Sequence, residues 1–275
     1  MYNNLKKLEK ELAEHYMFRR FDQFDKLYFT DLSDLHVGHK GFDEQAFKNV
    51  VNVLSQYPNV LVFLGGDSIN HANKGSKSSQ YEENLTPREQ ILHLEKLIQP
   101  IKHQIIGKID GNHDGSRAKE FNDISPTEWF CDRNHIRYFK EYAILQFSLG
   151  DNAYTHYIHH RSGSSGKKLN LNKLQEKGEE WRCDIIWGEH THKRHWASEI
   201  YVDIDLRNQK PVIREQYFVN ANTFLSWSGY AIDFGYRINQ TGINIVEMTG
   251  GRSRNRKVRV LDLETFQEIN KITHN

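Results

Sequence analysis

The sequence predicts an α/β fold, and this prediction rests on two local patterns and on the order in which they recur. Val60–Leu64 is a continuous apolar run, which is typical of a strand buried on both faces of a sheet. Residues 86–89 read Thr-Pro-Arg-Glu, a helix start with an N-cap, a proline in the first turn and a capping-box glutamate. Strand and helix patterns alternate through roughly the first two thirds of the chain, as expected when helices cover a largely parallel sheet.

The first predicted element is an amphipathic helix over residues 3–19, because Leu5, Leu8, Leu12 and Tyr16 recur at helical spacing. The next strands are predicted at 26–30, 60–64, 103–109, 142–147, 152–158 and 184–187. Helices are predicted at 46–54, at 86–98 and from 125 onward. After about residue 198 the pattern changes to strands and turns, with strands at 200–206, 212–219, 231–237, 243–248 and 257–263.

The chain is interpreted as one domain, 1–275, with an N-terminal helix within 1–20 and a strand-rich portion, 198–275, that forms a second sheet. Its 275 residues suffice for one large domain or two small ones. The hydrophobic fraction of 37% and the charged fraction of 27% are those of an ordinary globular protein.

The composition weakens several alternatives for partners and location. A formal net charge of +1 gives no overall attraction for nucleic acid. No stretch approaches the ~20 apolar residues that a membrane span needs, and the N-terminus lacks the apolar core of a secretion signal. We therefore expect a cytoplasmic protein, in which Cys131 and Cys183 remain reduced thiols, with one disulfide between them as the alternative.

Side chains typical of metal ligands stand in five short segments, each where a predicted strand meets a loop. In open α/β sheets, ligands bind outside the carboxyl ends of the strands, so residues far apart in sequence can converge there. A carboxylate able to bridge, an amide and several imidazoles are what a hydrolytic site with two metal ions needs. The candidate metal ligands are Asp34, His36, Asp67, Asn112, His159, His160, His190 and His192, and the candidate catalytic residues are His113 and Asp114.

Each motif taken alone has a simpler explanation. Asp34 and His36 are one residue apart, so on an extended segment they point the same way, but such a pair is common in surface turns. Asp67 ends an apolar strand, where it binds a cation or caps a turn. The neighbours His159 and His160 face opposite sides of a strand, so we expect only one of them to be a ligand. His156 and His195 are expected to be bystanders, as are His39 and His71, although the last two lie near enough in sequence to touch a substrate.

Together, and in this order, the motifs resemble the calcineurin-like metallophosphoesterase superfamily. The superfamily pattern is Asp-x-His, Gly-Asp-x-x-Asp/Asn, Gly-Asn-His-Asp/Glu, a lone His and Gly-His-x-His. The chain follows it from about residue 26 to about residue 196. Residues 66–73, 86–90 and the Gly-rich stretch after His160 are also similar to uncharacterised phosphoesterases of phage and bacterial genomes.

The resemblance implies a four-layer α/β/β/α sandwich of two mixed sheets flanked by helices, with a dinuclear site between the sheets. One metal ion would be held by residues matching Asp34, His36, Asp67 and His192. The other would be held by Asp67, Asn112, the lone His and His190, so that Asp67 bridges the ions. His113 matches the catalytic histidine of the superfamily.

Two positions depart from the superfamily pattern. Glu189 stands where a Gly usually precedes the final His-x-His, with Gly188 one place earlier. This carboxylate either tunes a metal ion, crowds the substrate or points away from the site. Asn70 stands at the second acidic position after Asp67, where the superfamily tolerates Asn.

The ligand set predicts a mechanism. Two divalent ions about 3.5–4 Å apart bind a bridging water and lower its pKa, and the hydroxide attacks phosphorus. His113 would protonate the leaving oxygen or stabilise the transition state, oriented by Asp114 or Asp31. Mixed nitrogen and oxygen ligands suit Mn²⁺, Fe, Zn²⁺ or Ni²⁺ better than Mg²⁺; we expect Mn²⁺, with the other four as alternatives.

The loops give weaker indications of the substrate. Residues 163–168 could cradle a phosphate through backbone NH groups and Lys167 or Lys168. The basic run at 250–257 could follow a nucleic-acid backbone or form a solvated hairpin tip. Aromatic residues near these loops stack on bases or fill the core between the sheets: Trp181, Trp187, Trp196, Trp227 and Tyr230.

Three functions therefore stand in order of preference. The first is a phosphodiesterase acting on nucleic acid or nucleotides, and thus a nuclease in one form. The second is a phosphomonoesterase acting on a small phosphate ester or a phosphoprotein. The third is a non-catalytic scaffold, which predicts lost ligands, whereas every ligand position is filled here.

Overall fold

The computed structural model describes residues 2–73, 83–122, 125–160, 171–206, 208–221, 223–227, 232, 241–251 and 256–272. Its strands are β1 Tyr16–Arg20, β2 Lys26–Leu32, β3 Val60–Leu64, β4 Ile105–Lys108, β5 Tyr142–Leu149, β6 Asn152–His159, β7 Ile185–Gly188, β8 His195–Asp205, β9 Lys210–Asn220, β10 Ile245–Thr249 and β11 Val258–Leu261. The α-helices are α1 Tyr2–Glu14, α2 Glu44–Leu54, α3 Pro87–Ile98, α4 Arg117–Asn122, α5 Pro126–Asn134, α6 Leu171–Trp181 and α7 Leu263–Ile272. A 3₁₀ turn, Gln99–Gln104, and a π-helical turn, Asn112–Ser116, lie between them.

Two mixed sheets lie at the centre. The six-stranded sheet has the order β1-β5-β6-β7-β9-β8, and the five-stranded sheet has the order β11-β10-β2-β3-β4. In the five-stranded sheet, β2, β3 and β4 are parallel, so their carboxyl ends meet at one edge. In the six-stranded sheet β6 and β7 are parallel, so their carboxyl ends meet likewise. The loops that follow these five strands carry the predicted metal ligands.

Strand β3 shows why the chain forms layers. Val60, Val62 and Leu64 pack with α2, α3, α5 and α7 on one side of the five-stranded sheet. Leu61 and Phe63 face the other way, into the cluster between the two sheets. Burial of each such large apolar side chain contributes about 1.5–3 kcal/mol, which explains the unbroken apolar run.

A third apolar cluster covers the outer face of the six-stranded sheet, where Leu174 of α6 packs on Tyr157, Ile186 and Phe218. The order of layers is therefore helix, sheet, sheet, helix. The predicted fold, two mixed sheets flanked by helices, is confirmed.

The predicted N-terminal helix over residues 3–19 is too long. It ends at Glu14, and Tyr16–Arg20 forms β1, which pairs in parallel with β5. Met17 is buried between the sheets, whereas Leu5 and Leu8 of α1 are about half exposed. Pairing with β5 and burial of Met17 outweigh the helical spacing of the apolar residues.

The strand-rich segment 198–275 does not form a second sheet on its own. Strands β8 and β9 extend the six-stranded sheet, whereas β10 and β11 complete the five-stranded one. The last predicted strand, 257–263, ends at Leu261, and α7 follows it. The predicted strand 231–237 lies outside the described residues, apart from Ile232.

The cysteines are free thiols, as expected. Cys131 lies in the helix-covered cluster of the five-stranded sheet, and Cys183 lies on the outer face of the other sheet. Both are buried, and burial raises the pKa of each thiol to about 12. Among the helices of the described ranges, none combines the length and the apolar character needed to cross a bilayer.

Candidate metal centre

The loops after β2, β3, β6 and β7 bring two groups of potential ligand atoms together. Asp34, Asp67, His160 and His190 form one group, and Asp34, His36 and His192 form the other. Within each group, one nitrogen or oxygen of every residue lies within 4.8 Å of the others. These distances fit nitrogen and oxygen ligands that share a divalent cation.

In the smaller group the imidazole nitrogens oppose each other. His36 Nδ1 lies 3.1 Å from Asn70 Oδ1, to which it donates, so its Nε2 presents a lone pair. That Nε2 lies 3.2 Å from Nε2 of His192, which is itself 3.1 Å from Asp34 Oδ1. Two facing nitrogen lone pairs repel each other unless a proton or a cation lies between them. The buried Asp34 carboxylate supplies a negative charge that favours either one.

In the larger group, Asp67 Oδ2 lies 3.0 Å from His160 Nε2. Asn112 Oδ1 lies 3.2 Å from the same nitrogen and 2.8 Å from His190 Nδ1. When His160 Nε2 and His190 Nδ1 carry no proton, the Asn112 oxygen faces acceptors only. It is satisfied there as the ligand of a cation; otherwise the amide turns so that its NH₂ group donates to these atoms and its oxygen accepts from Arg117.

The structure separates the two neighbouring histidines at the end of β6. His160 is buried and reaches Asp67. His159 is the last residue of the strand and its ring stacks near Tyr157, on the face covered by α6. The alternation of side chains along a strand explains this result, and His160 is the histidine that joins the metal group.

His113 lies at the rim of the centre. Its Nδ1 donates to the carbonyl oxygen of Asn70 at 2.6 Å, which leaves Nε2 directed towards Asp67, 4.0 Å from Oδ2. Its backbone NH donates to Asp67 Oδ1 at 2.7 Å. Burial lowers the pKa of His113, although Asp67 opposes that effect. An imidazole held through Nδ1 is suited to deliver a proton from Nε2.

The prediction that Asp114 or Asp31 orients His113 is wrong, because the Asn70 carbonyl has that contact. Asp114 accepts hydrogen bonds from the backbone NH groups of Gly111 at 2.8 Å and Ser68 at 2.9 Å. It also forms a buried ion pair with Lys108 at 3.2 Å. Asp114 therefore ties the loops after β3 and β4 together, a role that suits a buried carboxylate with several donors.

The ligand-bearing backbone is strained. Asp34, His36, Asp67, His190 and His192 all have φ between 51° and 73°. Residues with a Cβ rarely adopt this left-handed region, and each instance costs of order 1–3 kcal/mol. Such strain concentrates at functional sites, where the surrounding structure holds it in place.

The loops approach each other so closely that two glycines are required. A Cβ on Gly111 would lie 2.1 Å from the backbone nitrogen of Asp67. A Cβ on Gly66 would lie 2.5 Å from both the Gly111 Cα and the His160 Nδ1. The absence of side chains at these two positions allows Asp67 and Asn112 to reach one centre.

The charges of the centre are strongly coupled. Burial lowers the pKa of the His160 imidazole, but the Asp67 and Glu189 carboxylates outweigh burial and raise it well above its ordinary value. Burial raises the pKa of Asp67, but the neighbouring His160 and His113 outweigh that effect and lower it well below its ordinary value. Burial followed by the neighbouring His160 lowers the pKa of His190 to about 4.

Metal binding is expected to release protons at neutral pH. Because the pKa of His160 is raised, chelator-stripped protein carries a proton on this ring that a cation at Nε2 must displace. Affinity should therefore fall as the pH decreases from the raised pKa of His160. Calorimetric titration with Mn²⁺ in buffers of different ionisation enthalpy measures the proton count, and a count of zero at neutral pH would contradict this assignment.

His156 and Trp181 lie among other aromatic side chains, outside both groups of ligand atoms. His156 is fully buried beside Trp187 in the core between the sheets, and burial lowers its pKa to about 3. Trp181 stacks on Tyr157 with ring centroids 4.4 Å apart. Trp196, at the start of β8 and half exposed, is the indole nearest in sequence to His192. Residues 163–168, residues 252–255 of the basic run 250–257, and Tyr230 lie outside the described residues.

Sequence reasoning gave no role to Asn70 beyond its tolerated place in the motif. The structure shows that it holds His36 through its side chain and His113 through its carbonyl oxygen. Glu189, left open by the sequence, points into the centre: its Oε2 lies 2.8 Å from His160 Nδ1. Lys108 was also missed, although a lysine in a buried strand is a signal of an internal ion pair.

Comparison with known proteins gives matches only among solved structures. No family model matches the chain, and no curated protein matches it. One similar structure is a conserved uncharacterised protein from Streptococcus pneumoniae, a predicted phosphoesterase, with 15% identity over 88% of this chain and 92% of that one and a TM-score of 0.39.

Two further solved structures have the same level of similarity. Vps29 of Entamoeba histolytica in complex with Zn²⁺ has 12% identity over 86% of this chain and 99% of that one, with a TM-score of 0.39. A phosphatase from Mycoplasma pneumoniae has 12% identity over 86% of this chain and 93% of that one, with a TM-score of 0.37.

Proposed function

We propose that this protein is a metal-dependent phosphoesterase that binds two divalent cations at the centre. The observation that carries the proposal is the convergence of buried carboxylates and lone-pair nitrogens in two groups that share Asp34. Atoms that repel one another at these distances require a positive charge between them.

The proposed ligands follow the motif resemblance and the distances together. Asp34, His36, Asp67 and His192 would hold one cation. Asp67, Asn112, His160 and His190 would hold the other. Asp34 also lies within reach of the second group, so its carboxylate contributes negative charge to both cations.

When bound, two such cations supply Lewis-acid stabilisation of phosphoryl oxygens and activate water for attack on phosphorus. The chain's own residues do the rest. Asn70 holds the His113 ring through Nδ1, so that Nε2 faces the centre. In its imidazolium form His113 carries a second proton, on Nε2, and can donate it to the leaving oxygen. Glycines 66 and 111 keep Asp67 and Asn112 at one centre.

We further propose that the substrate is a phosphodiester of a nucleic acid or nucleotide, that Mn²⁺ is the working cation and that the protein is cytoplasmic. The half-exposed indole of Trp196, which follows the His-x-His loop, offers a surface on which a base can stack. The mixed nitrogen and oxygen ligands suit Mn²⁺.

The test is metal content by elemental analysis, paired with Mn²⁺-dependent hydrolysis of bis-p-nitrophenyl phosphate and p-nitrophenyl phosphate on one sample. Close to two ions per chain with faster turnover of the diester is the expected result. Monoester turnover that is faster by orders of magnitude would replace the diesterase proposal by a monoesterase. No bound metal and no turnover after addition of Mn²⁺ would favour the scaffold alternative.

A further inference from the structure

We infer that Glu189 is a positioning residue that fixes the His160 ring for its cation and raises the affinity of that position selectively. The inference rests on the proposed two-cation centre. Glu189 stands at the end of β7, where the superfamily pattern has a glycine, and its contacts show what the carboxylate does there.

The Glu189 carboxylate is fully buried and lies directly behind His160. Its Oε2 is 2.8 Å from His160 Nδ1 and accepts a hydrogen bond from the backbone NH of Gly66 at 2.7 Å. One oxygen atom therefore connects the loop after β6 with the loop after β3.

This contact determines which nitrogen of His160 can bind a cation. With Nδ1 donating its hydrogen to Glu189, the lone pair lies on Nε2. Nε2 faces the centre, 3.0 Å from Asp67 Oδ2 and 3.2 Å from Asn112 Oδ1. A carboxylate behind a ligating histidine fixes the tautomer and ring orientation and makes the imidazole a stronger ligand.

The surroundings make room for this carboxylate at some cost. A Cβ on Gly65 would lie 2.7 Å from Glu189 Oε1, so the loop after β3 is open at this point. The Asp31 carboxyl is buried nearby, and burial followed by the adjacent Glu189 raises its pKa well above its ordinary value. Burying a carboxylate is unfavourable unless charge partners offset the loss of hydration. An apolar side chain would fill the same space without that cost, so the negative charge is what this position contributes.

The test compares wild type with Glu189→Gln, which keeps the size and removes the charge. Both proteins are stripped with chelator and titrated with Mn²⁺ by calorimetry and chelator competition. We expect one of the two ions to bind about 10–100-fold more weakly in Glu189→Gln, with the affinity of the other unchanged. Glu264→Gln on α7, an exposed glutamate on the outer helical layer, is the matched control and should bind both ions as wild type does.

The melting temperature of each metal-stripped protein shows whether Glu189 positions His160 or only supports the fold. Unchanged affinities in Glu189→Gln would overturn the inference. So would a parallel loss of both affinities together with a lower melting temperature, because that result describes a structural residue. If wild type itself binds no ion, the proposed function fails, and this outcome is distinct from the failure of Glu189 alone.

A second measurement does not depend on the variant folding. Nitrogen chemical shifts of His160 in wild-type protein loaded with diamagnetic Zn²⁺ report which ring nitrogen carries hydrogen. Hydrogen on Nδ1 and Zn²⁺ on Nε2 is the expected result. The reverse arrangement would overturn the inference even if affinities fell.

Discussion

Replacing His113 with alanine is expected to lower diester turnover by about 10²–10⁴-fold while two cations remain bound. His113 belongs to neither group of metal-binding atoms, and its Nε2 stands 4.0 Å from the bridging carboxylate of Asp67. The loss should therefore appear in kcat, because the missing proton donor acts on the leaving oxygen. Metal content and kcat are measured on the same preparation.

The leaving group provides an internal check on this role. A nitrophenolate leaves without much help from an acid, whereas a ribose oxygen needs a proton. The loss should therefore be larger with a dinucleotide than with bis-p-nitrophenyl phosphate. His195→Ala, a half-buried histidine whose Nδ1 contacts the Lys193 carbonyl, is the control and should retain activity. Equal losses with the two substrates would assign His113 a structural role, and unchanged activity would remove it from the mechanism.

Replacing Asp67 with asparagine is expected to reduce the bound metal from two ions to at most one. We also expect turnover to fall by at least about 10²-fold. The Asp67 carboxylate lies 3.0 Å from His160 Nε2, and Asp67 belongs to the larger of the two groups of ligand atoms. An amide keeps the shape but provides one neutral oxygen instead of two charged ones. The neighbouring imidazoles then lose the charge that favours a cation among them.

Elemental analysis of Asp67→Asn after dialysis against Mn²⁺ gives the number of ions directly. Asp203→Asn, on exposed β8 and paired with Arg214, is a control of equal chemical change away from the centre. Two ions per chain in Asp67→Asn would contradict the bridging role. A protein with one ion and full activity would contradict the need for a second cation.

The parts of the fold that sequence predicted best are those where local pattern and tertiary packing agree. Val60–Leu64 is apolar on both faces because both faces are covered, and the Thr86 capping box forms as expected. The sequence pattern assigned most of β1 to the N-terminal helix. Its partner strand, β5, is more than a hundred residues away in sequence, and no local pattern encodes that pairing. Helix α6 was missed because its buried residues Leu174 and Gly178 give only a weak apolar stripe in the sequence.

The convergence of the candidate ligands was largely predictable because their residue types are rare in combination and most of them stand at strand ends. Sequence could not choose between His159 and His160, since the choice depends on where β6 ends and which of its faces α6 covers. The partner of His113 was also out of reach. A backbone carbonyl, that of Asn70, has the role for which sequence offered only carboxylates. Main-chain contacts of this kind leave no residue-type signal.

The left-handed backbone at the ligands has a consequence for how mutations at this centre should be read. Five ligand positions with φ between 51° and 73° are ones that glycine would occupy without strain. The native residues therefore provide potential ligand atoms at the expense of backbone strain. A mutational scan for thermal resistance of the metal-stripped chain would rate these positions as defects, and a scan for turnover would rate the same positions as indispensable. The opposition of the two scans would mark the centre as a trade-off between stability and activity.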